Sequence, residues 1–168
     1  IVGDIQDDSV VVDGLNEKLY FASFDTDNLQ NHIYSVDLNT SGITDDFTYP
    51  STDFNGVRAA TITSLGTYTF FSRTANEALH SVNLSGGAHD VVESGMGSAQ
   101  HVVYSKQNSK IFTLPLKSQG TSILGPVSPG DEPLPYLNKI SVASTSDETY
   151  QGKITLPGPY YAAAAALN

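Results

Sequence analysis

The sequence has no cysteine, no tryptophan and a single methionine. Without cysteine there are no disulfides, no zinc–thiolate centres and no thiol catalysis. Basic residues are scarce: eight Lys and Arg face eighteen Asp and Glu, a net charge of −10. Such a chain repels polyanions, and no basic patch with interleaved aromatics offsets this, so no nucleic-acid partner is expected. No apolar run approaches the roughly 20 residues of a membrane-spanning helix. No window of roughly 11–18 residues carries sustained helical periodicity either.

What is present is strand-and-turn composition: Ser, Thr, Val, Tyr and Gly are abundant. Short apolar runs recur, each ended by Gly, Asn, Asp or Ser. They include Ser9–Asp13, Lys18–Ser23, Thr67–Ser72 and His101–Ser105. Three of the segments repeat one pattern. Ile33-Tyr-Ser-Val-Asp-Leu38, Leu79-His-Ser-Val-Asn-Leu84 and Ile111-Phe-Thr-Leu-Pro-Leu116 carry apolar residues at positions one, four and six. Each has Ser or Thr at position three and runs into a Gly-bearing turn. Aromatic strands precede them at Leu19–Phe21, Tyr68–Phe71 and Val102–Tyr104, after a turn that reads as long in the first copy and tight in the third.

One strand pair cannot bury both its faces, so such copies must stack. The fold class expected is all-β, a partial β-propeller of about three antiparallel blades, each repeat pair forming the middle of its blade. A β-sandwich is the alternative. A closed propeller needs four or more blades of roughly 40–50 residues, and 168 residues hold three. The blades are assigned to residues 1–124. Residues 125–137, rich in Pro and Gly, read as an extended connector, and 138–168 as a terminal β-hairpin and tail ending in Ala162–Ala166. Pro115 suits an edge strand or blade rim, because proline cannot donate to a ladder. The start at Ile1 rather than Met reads as a processed or excised piece.

Leu19-Tyr20-Phe21, then His32-Ile33-Tyr34-Ser35-Val36-Asp37-Leu38 and Thr44-Asp45-Asp46, resembles a late blade of the dipeptidyl-peptidase-IV-like propeller, of the prolyl-oligopeptidase group of serine peptidases. Arg58–Ser72 occupies the place of that family's next strand pair, without its following Gly-Pro. Ile140–Val142, Asp147 and Gly152–Pro157 resemble its passage from propeller into hydrolase domain. The resemblance spans residues 15–85 and 138–160. It implies a secreted or ectodomain serine exopeptidase whose propeller serves as scaffold and substrate gate. The partner implied is another part of the same protein or a separate protein, and an unclosed set of blades also suits a homo-oligomer.

The residues supply no catalytic constellation. A hydrolase nucleophile needs G-x-S-x-G; Gly120-Thr-Ser122 lacks the second glycine and Gly97-Ser98 the spacing. A triad, if the resemblance holds, therefore lies beyond Asn168. No catalytic residue, cofactor or metal ligand is assigned. His32 and His80 sit in or beside the repeat and read as half-buried structural histidines. His89-Asp90 reads as turn-capping rather than a base and its orienter, since neighbours on a strand face opposite ways. Asp7-Asp8, Asp25/Asp27, Asp45-Asp46 and Asp131-Glu132 all read as turns, without the glycine and distal Glu of a calcium loop. Asn39-Thr-Ser41 and Asn83-Leu-Ser85 make Asn39 and Asn83 candidate N-glycosylation sites and lean toward an extracellular location. A non-catalytic propeller binding a protein, glycan or small ligand is the alternative function.

Overall fold

The structure, a computed structural model, describes residues 1–72, 78–94, 99–117, 132–133, 136–144 and 147–155. Gly97-Ser98, Gly120-Thr-Ser122, Asp131, most of the connector and Ala162–Ala166 lie outside them.

The described residues form strands, turns and one 3₁₀ turn, in three antiparallel sheets. The first holds β1 (Asp4–Ile5), β2 (Val11–Asp13), β3 (Lys18–Asp25), β4 (Gln30–Asp37) and β5 (Ile43–Pro50). β1 and β2 pair end to end along the same edge of β3, as one edge strand interrupted by the 3₁₀ turn Asp7–Ser9. Buried Ser9 pins that interruption: its hydroxyl accepts from the Ala22 amide at 2.9 Å and donates to the Gln6 carbonyl. The second sheet runs in order through β6 (Val57–Ile62), β7 (Thr67–Ser72), β8 (Leu79–Asn83) and β9 (His89–Glu93). The third is β10 (Ala99–Ser105), β11 (Lys110–Lys117), β13 (Tyr136–Ser144) and β14 (Asp147–Thr155), with β12 (Glu132–Pro133) on the far end of β11.

The sheets stack face to face with their first strands adjacent, β6 lying against β2 and the 3₁₀ turn, and β10 against β6. Successive four-stranded antiparallel sheets sharing an inner edge are β-propeller blades. Two cores follow from the pleat. Tyr20, Ala22 and Ile33 of the first sheet meet Val57, Tyr68, Phe70 and Val82 of the second. The opposite face of the second sheet brings Ala59, Phe71 and Leu79 against Val102 and Ile111 of the third. Each seam also carries a tyrosine hydrogen bond. Tyr68, fully buried, donates to the Ser9 carbonyl at 2.6 Å, and Tyr104 meets the Ser64 hydroxyl at 2.7 Å.

The repeat copies do not all occupy the same place. In the first two sheets the pair forms strands two and three (β3–β4, β7–β8), as expected for the middle of a blade. In the third it forms strands one and two (β10–β11), and β13–β14 complete the sheet through the pairing of β13 on β11. The stretch resembling a passage out of the propeller is thus hydrogen-bonded into the last blade. Pro115 accordingly lies on an inner strand, not an edge. It is tolerated there because the β13 pairing stops at Thr113, the β12 pairing starts at Leu116, and the β10 register slips beside its partner Ala99.

The turn expected to be long in the first copy is as short as that of the third, because β3 and β4 extend to Asp25 and Gln30. Asp13↔Lys18, Asp25↔Gln30 and Ser105↔Lys110 each close over four residues. Asp13 and Asp25 accept from the backbone amides two and three residues on, and from Asn16 Nδ2 and Asn28 Nδ2 at 2.6 and 2.7 Å. Asn108 reaches Ser105 in the same way. The loop's last residue then takes a positive φ: Glu17, Leu29 and Ser109, at 52°, 55° and 48°. Side-chain capping offers the chain its reversal, as Asx turns do. The same bonds hold the Asp25 carboxyl below its ordinary range, Asn28 first among the causes.

Candidate functional site

Two histidine pairs are the chemically most distinctive features of the described residues. The first lies on the face of the first sheet turned away from the second. His32 stands in β4 between Ser23 of β3 and Thr48 of β5. β5 carries a bulge here: Phe47 faces Ile33 and Asp45 faces Tyr34, leaving Asp46 as the extra residue. Asp45 Oδ2 thereby reaches His32 Nδ1 at 2.8 Å, with Thr48 Oγ1 at 3.3 Å. Asp45-Asp46 belongs to a strand rather than the expected turn, the bulge absorbing the irregularity that the sequence suggests. The imidazole stacks on Tyr34, centroids 5.9 Å apart, and Tyr34 on Phe21 at 5.2 Å. His32 is 7% exposed, and its Nε2 is buried with no hydrogen-bond partner.

With Nδ1 held by Asp45 Oδ2, Nε2 is the ring atom left to meet another group. A carboxylate on one ring nitrogen is the orienter-and-imidazole half of a nucleophilic site. Among the described residues no hydroxyl bonds to Nε2.

The second pair lies in the seam between the first two sheets. In the β8–β9 hairpin Val82 faces His89, so His80 and His89 are diagonal neighbours on one face. Their rings stack, and His80 Nδ1 lies 3.0 Å from His89 Nε2. Phe70 stacks on His80 at 5.5 Å, while Phe54 and Tyr49 pack against His89 at 5.2 and 5.9 Å. Burial and the neighbouring His89 push His80 down from 6.5 to about 4. His89 is also lowered by burial, against the opposing pull of Asp53 and Asp90. Tyr49 is pushed up to about 12 by burial and Asp53, and donates to the Gly87 carbonyl at 2.8 Å. Both imidazoles are therefore neutral at pH 7, joined by one N–H···N bond. His89 does not cap a turn as its sequence context suggests: it begins β9 and turns inward, leaving Asp90 exposed.

Of the remaining candidates, Asn39 is exposed in the turn after β4 and donates to Glu17 Oε2 at 2.7 Å. Asn83 is half-buried at the end of β8, its Oδ1 accepting from both the amide and the hydroxyl of Ser85. Asp25 and Asp27 lie at and beyond the end of β3, and Glu132 in β12. Among the described residues no three His, Cys, Asp or Glu side chains gather to hold a metal ion. Neither histidine pair is read from the sequence pattern. The Gly86-Gly87 turn between His80 and His89 is the signal that would have placed those two across a hairpin.

No family model matches the sequence, and no curated protein sequence matches it. Solved structures do resemble its fold. A chain of the mitotic checkpoint complex superposes with a TM-score of 0.54 at 18% identity, covering 88% of this chain and 40% of that one. Acylaminoacyl peptidase from Pyrococcus horikoshii gives 0.51 at 6% identity, covering 88% and 25%. An acylaminoacyl peptidase bound to Z-Gly-Gly-Phe-chloromethyl ketone gives 0.51 at 8%, covering 90% and 25%. The chain thus spans between a quarter and two fifths of these structures. Identities this low establish the fold alone: the chain is a run of β-propeller blades, of a kind also found in peptidases.

Proposed function

We propose that the chain is the propeller portion of a secreted, dipeptidyl-peptidase-like serine peptidase, serving as scaffold and substrate gate for a catalytic domain outside these residues. The observation that carries this reading is the placement of the ordered motifs. Leu19–Phe21 lies in β3, His32–Asp37 in β4, Thr44–Asp46 in β5 and Arg58–Ser72 across β6 and β7, in chain order over two successive blades. Fold likeness to two acylaminoacyl peptidase structures over 88% and 90% of the chain is consistent with it.

Sequencing of the native polypeptide beyond Asn168, with its intact mass, tests the proposal. A mass several times 17.9 kDa and a downstream G-x-S-x-G peptide support it. A native mass equal to that of these residues, glycans aside, removes it. Treatment with an endoglycosidase tests secretion: loss of mass at Asn39 or Asn83 supports passage through the secretory route, and unmodified peptides at both oppose it.

The likeness to a chain of the mitotic checkpoint complex favours a second reading, a propeller that binds a partner without catalysis. Hydrolysis of an Xaa-Pro reporter by the native protein, abolished by a serine-directed phosphonate, would sink that reading.

A further inference from the structure

Asn55 is the one asparagine of the sequence that is followed by glycine. With no Cβ on the next residue, the main-chain nitrogen of Gly56 meets little hindrance on its way to the Asn55 side-chain carbonyl. Such a pair is prone to close into a succinimide. It sits in the loop between β5 and β6, where the chain passes from the first sheet to the second.

The peptide unit joining the two residues is held from both sheets. Asn31 of β4, 1% exposed, accepts from the Gly56 amide through Oδ1 at 2.7 Å and donates through Nδ2 to the Phe54 carbonyl at 2.5 Å. Ser72 of β7 works from the other side. Its hydroxyl accepts from the Asn55 amide at 3.2 Å and donates to the Asn55 carbonyl at 3.4 Å. Gly56 itself is buried, at a φ of 65°. Closing the succinimide requires the Gly56 nitrogen to give up its proton and the peptide plane to turn toward the Asn55 side chain. The buried bond to Asn31 opposes the first step, because it keeps the proton occupied and away from base. Bonds at both ends of the plane oppose the second.

We propose that Asn55 is a latent deamidation site, kept silent in the folded chain by Asn31 and Ser72 and released when the first two sheets part at this loop. The chemistry needs only base and water. The Gly56 nitrogen, on losing its proton, bonds to Asn55 Cγ; the Cγ–Nδ2 bond breaks, and ammonia leaves with a proton. Water then opens the imide at either carbonyl, leaving aspartate or isoaspartate at this position, with nothing oxidised or reduced. Isoaspartate lengthens the main chain by a methylene between the two atoms that Asn31 holds, the Phe54 carbonyl and the Gly56 amide. The product therefore does not refit the clamp, and the reaction records irreversibly that the loop has opened. This proposal rests on the clamp alone and is independent of the peptidase reading.

The test is peptide mapping by mass spectrometry, with isoaspartate detection, after incubation of the purified protein in mildly alkaline buffer, folded and in urea. The unfolded chain is expected to convert at Asn55, and the folded parent about tenfold more slowly or less, as for any reaction confined to an opened state. Equal rates in the two overturn the proposal. Asn31→Ala, under folding conditions, is expected to speed conversion about tenfold or more, with no change of rate in urea. Ile111→Ala loosens the other core and is expected to stay within about twofold of the parent, because the loop opens without global unfolding. An unchanged rate in Asn31→Ala, or an equal acceleration in Ile111→Ala, assigns the protection to global folding and overturns the clamp. If Asn31→Ala does not fold, Ser72→Ala replaces it at the other end of the same peptide plane, with the same two outcomes.

Discussion

Acidification should loosen the seam between the first and second sheets through His80. Folded His80 resists protonation until about pH 4, because burial and the facing His89 both disfavour a second charge. Unfolded, it takes up its proton near 6.5. Between these values the unfolded state binds the extra proton, so stability is complete above about pH 6.5 and falls as pH falls. Below about pH 4 both states are protonated and the slope vanishes. At 1.36 kcal/mol per tenfold change in proton affinity the whole window is worth about 3 kcal/mol, and about 2 once the half-open side of His89 is allowed for. The opposing groups are named by the geometry: Asp53 and Asp90 favour a charged His89, while Tyr49, raised to about 12, stays neutral throughout. Urea unfolding from pH 7.5 to 4.5, for the parent and for His80→Phe, reads the effect. Phenylalanine keeps the stack on Phe70 but cannot titrate. The difference between the two curves should change by about 0.8 kcal/mol per pH unit near pH 5, carboxylate contributions cancelling. Parallel curves, or a His80 ring titrating near 6.5 by NMR in the folded protein, would refute the reasoning.

Four further substitutions test other parts of the fold. Asn31→Ala removes a fully buried amide that donates to the Phe54 carbonyl at 2.5 Å and accepts from the Gly56 amide at 2.7 Å. It should cost about 2–4 kcal/mol by urea midpoint, since both backbone partners are left buried and unpaired. Tyr68→Phe strips the Ser9 carbonyl of its 2.6 Å donor and should cost about 1–2 kcal/mol, and a loss near zero would mean that the cross-seam bond does not hold. Gly87→Ala places a Cβ 2.7 Å from the Phe47 ring at a φ of 68°; thermal unfolding should drop by an amount equivalent to about 1–3 kcal/mol. Leu29→Gly goes the other way: an exposed leucine at φ 55° is replaced by the residue suited to it, and the melting temperature should rise by the equivalent of about 0.5–1 kcal/mol.

Strand existence was legible where a short apolar run gives way to a turn-forming residue, as at Asp25 after β3 and Asn83 after β8. The place of a strand within its sheet was not. The pattern Ile111–Leu116 looks like Ile33–Leu38, yet β11 is a second strand and β4 a third. Position is set by which distant strands pair, and the partner β13 comes more than 20 residues later in the sequence. The first turn was misjudged in length because Ser23-Phe24-Asp25 and Gln30-Asn31 are as polar as a loop, although both runs pair strand to strand. The histidine pairs were illegible for a related reason. His32 meets Asp45 only through the bulge at Asp46, and His80 meets His89 through the register that sets Val82 opposite His89, in the regular stretch between the turn and the shift at Leu79. A one-residue change in register exchanges the two faces of a strand, so neither pairing follows from spacing alone.

The polar side chains placed most carefully in this chain lie at seams, not at a cleft. Tyr68 ties the second sheet to the 3₁₀ turn of the first, Tyr104 ties the third to Ser64, and Asn31 holds Phe54 and Gly56 of the loop that leads into β6. Such bonds contribute most where water is excluded, as at Tyr68 and Asn31; the Tyr104–Ser64 bond is exposed. His32 and Asp45 have the same character, a buried polar pair on a sheet face, but the imidazole's second nitrogen faces no donor. An orphaned buried acceptor costs about 1–3 kcal/mol, a penalty relieved when another sheet brings an N–H or O–H to it. Exchanging His32 for Phe removes that penalty but also the bond to Asp45 Oδ2, so His32→Phe should unfold in urea within about 1 kcal/mol of the parent, and a larger loss would show that the pair itself stabilises the sheet.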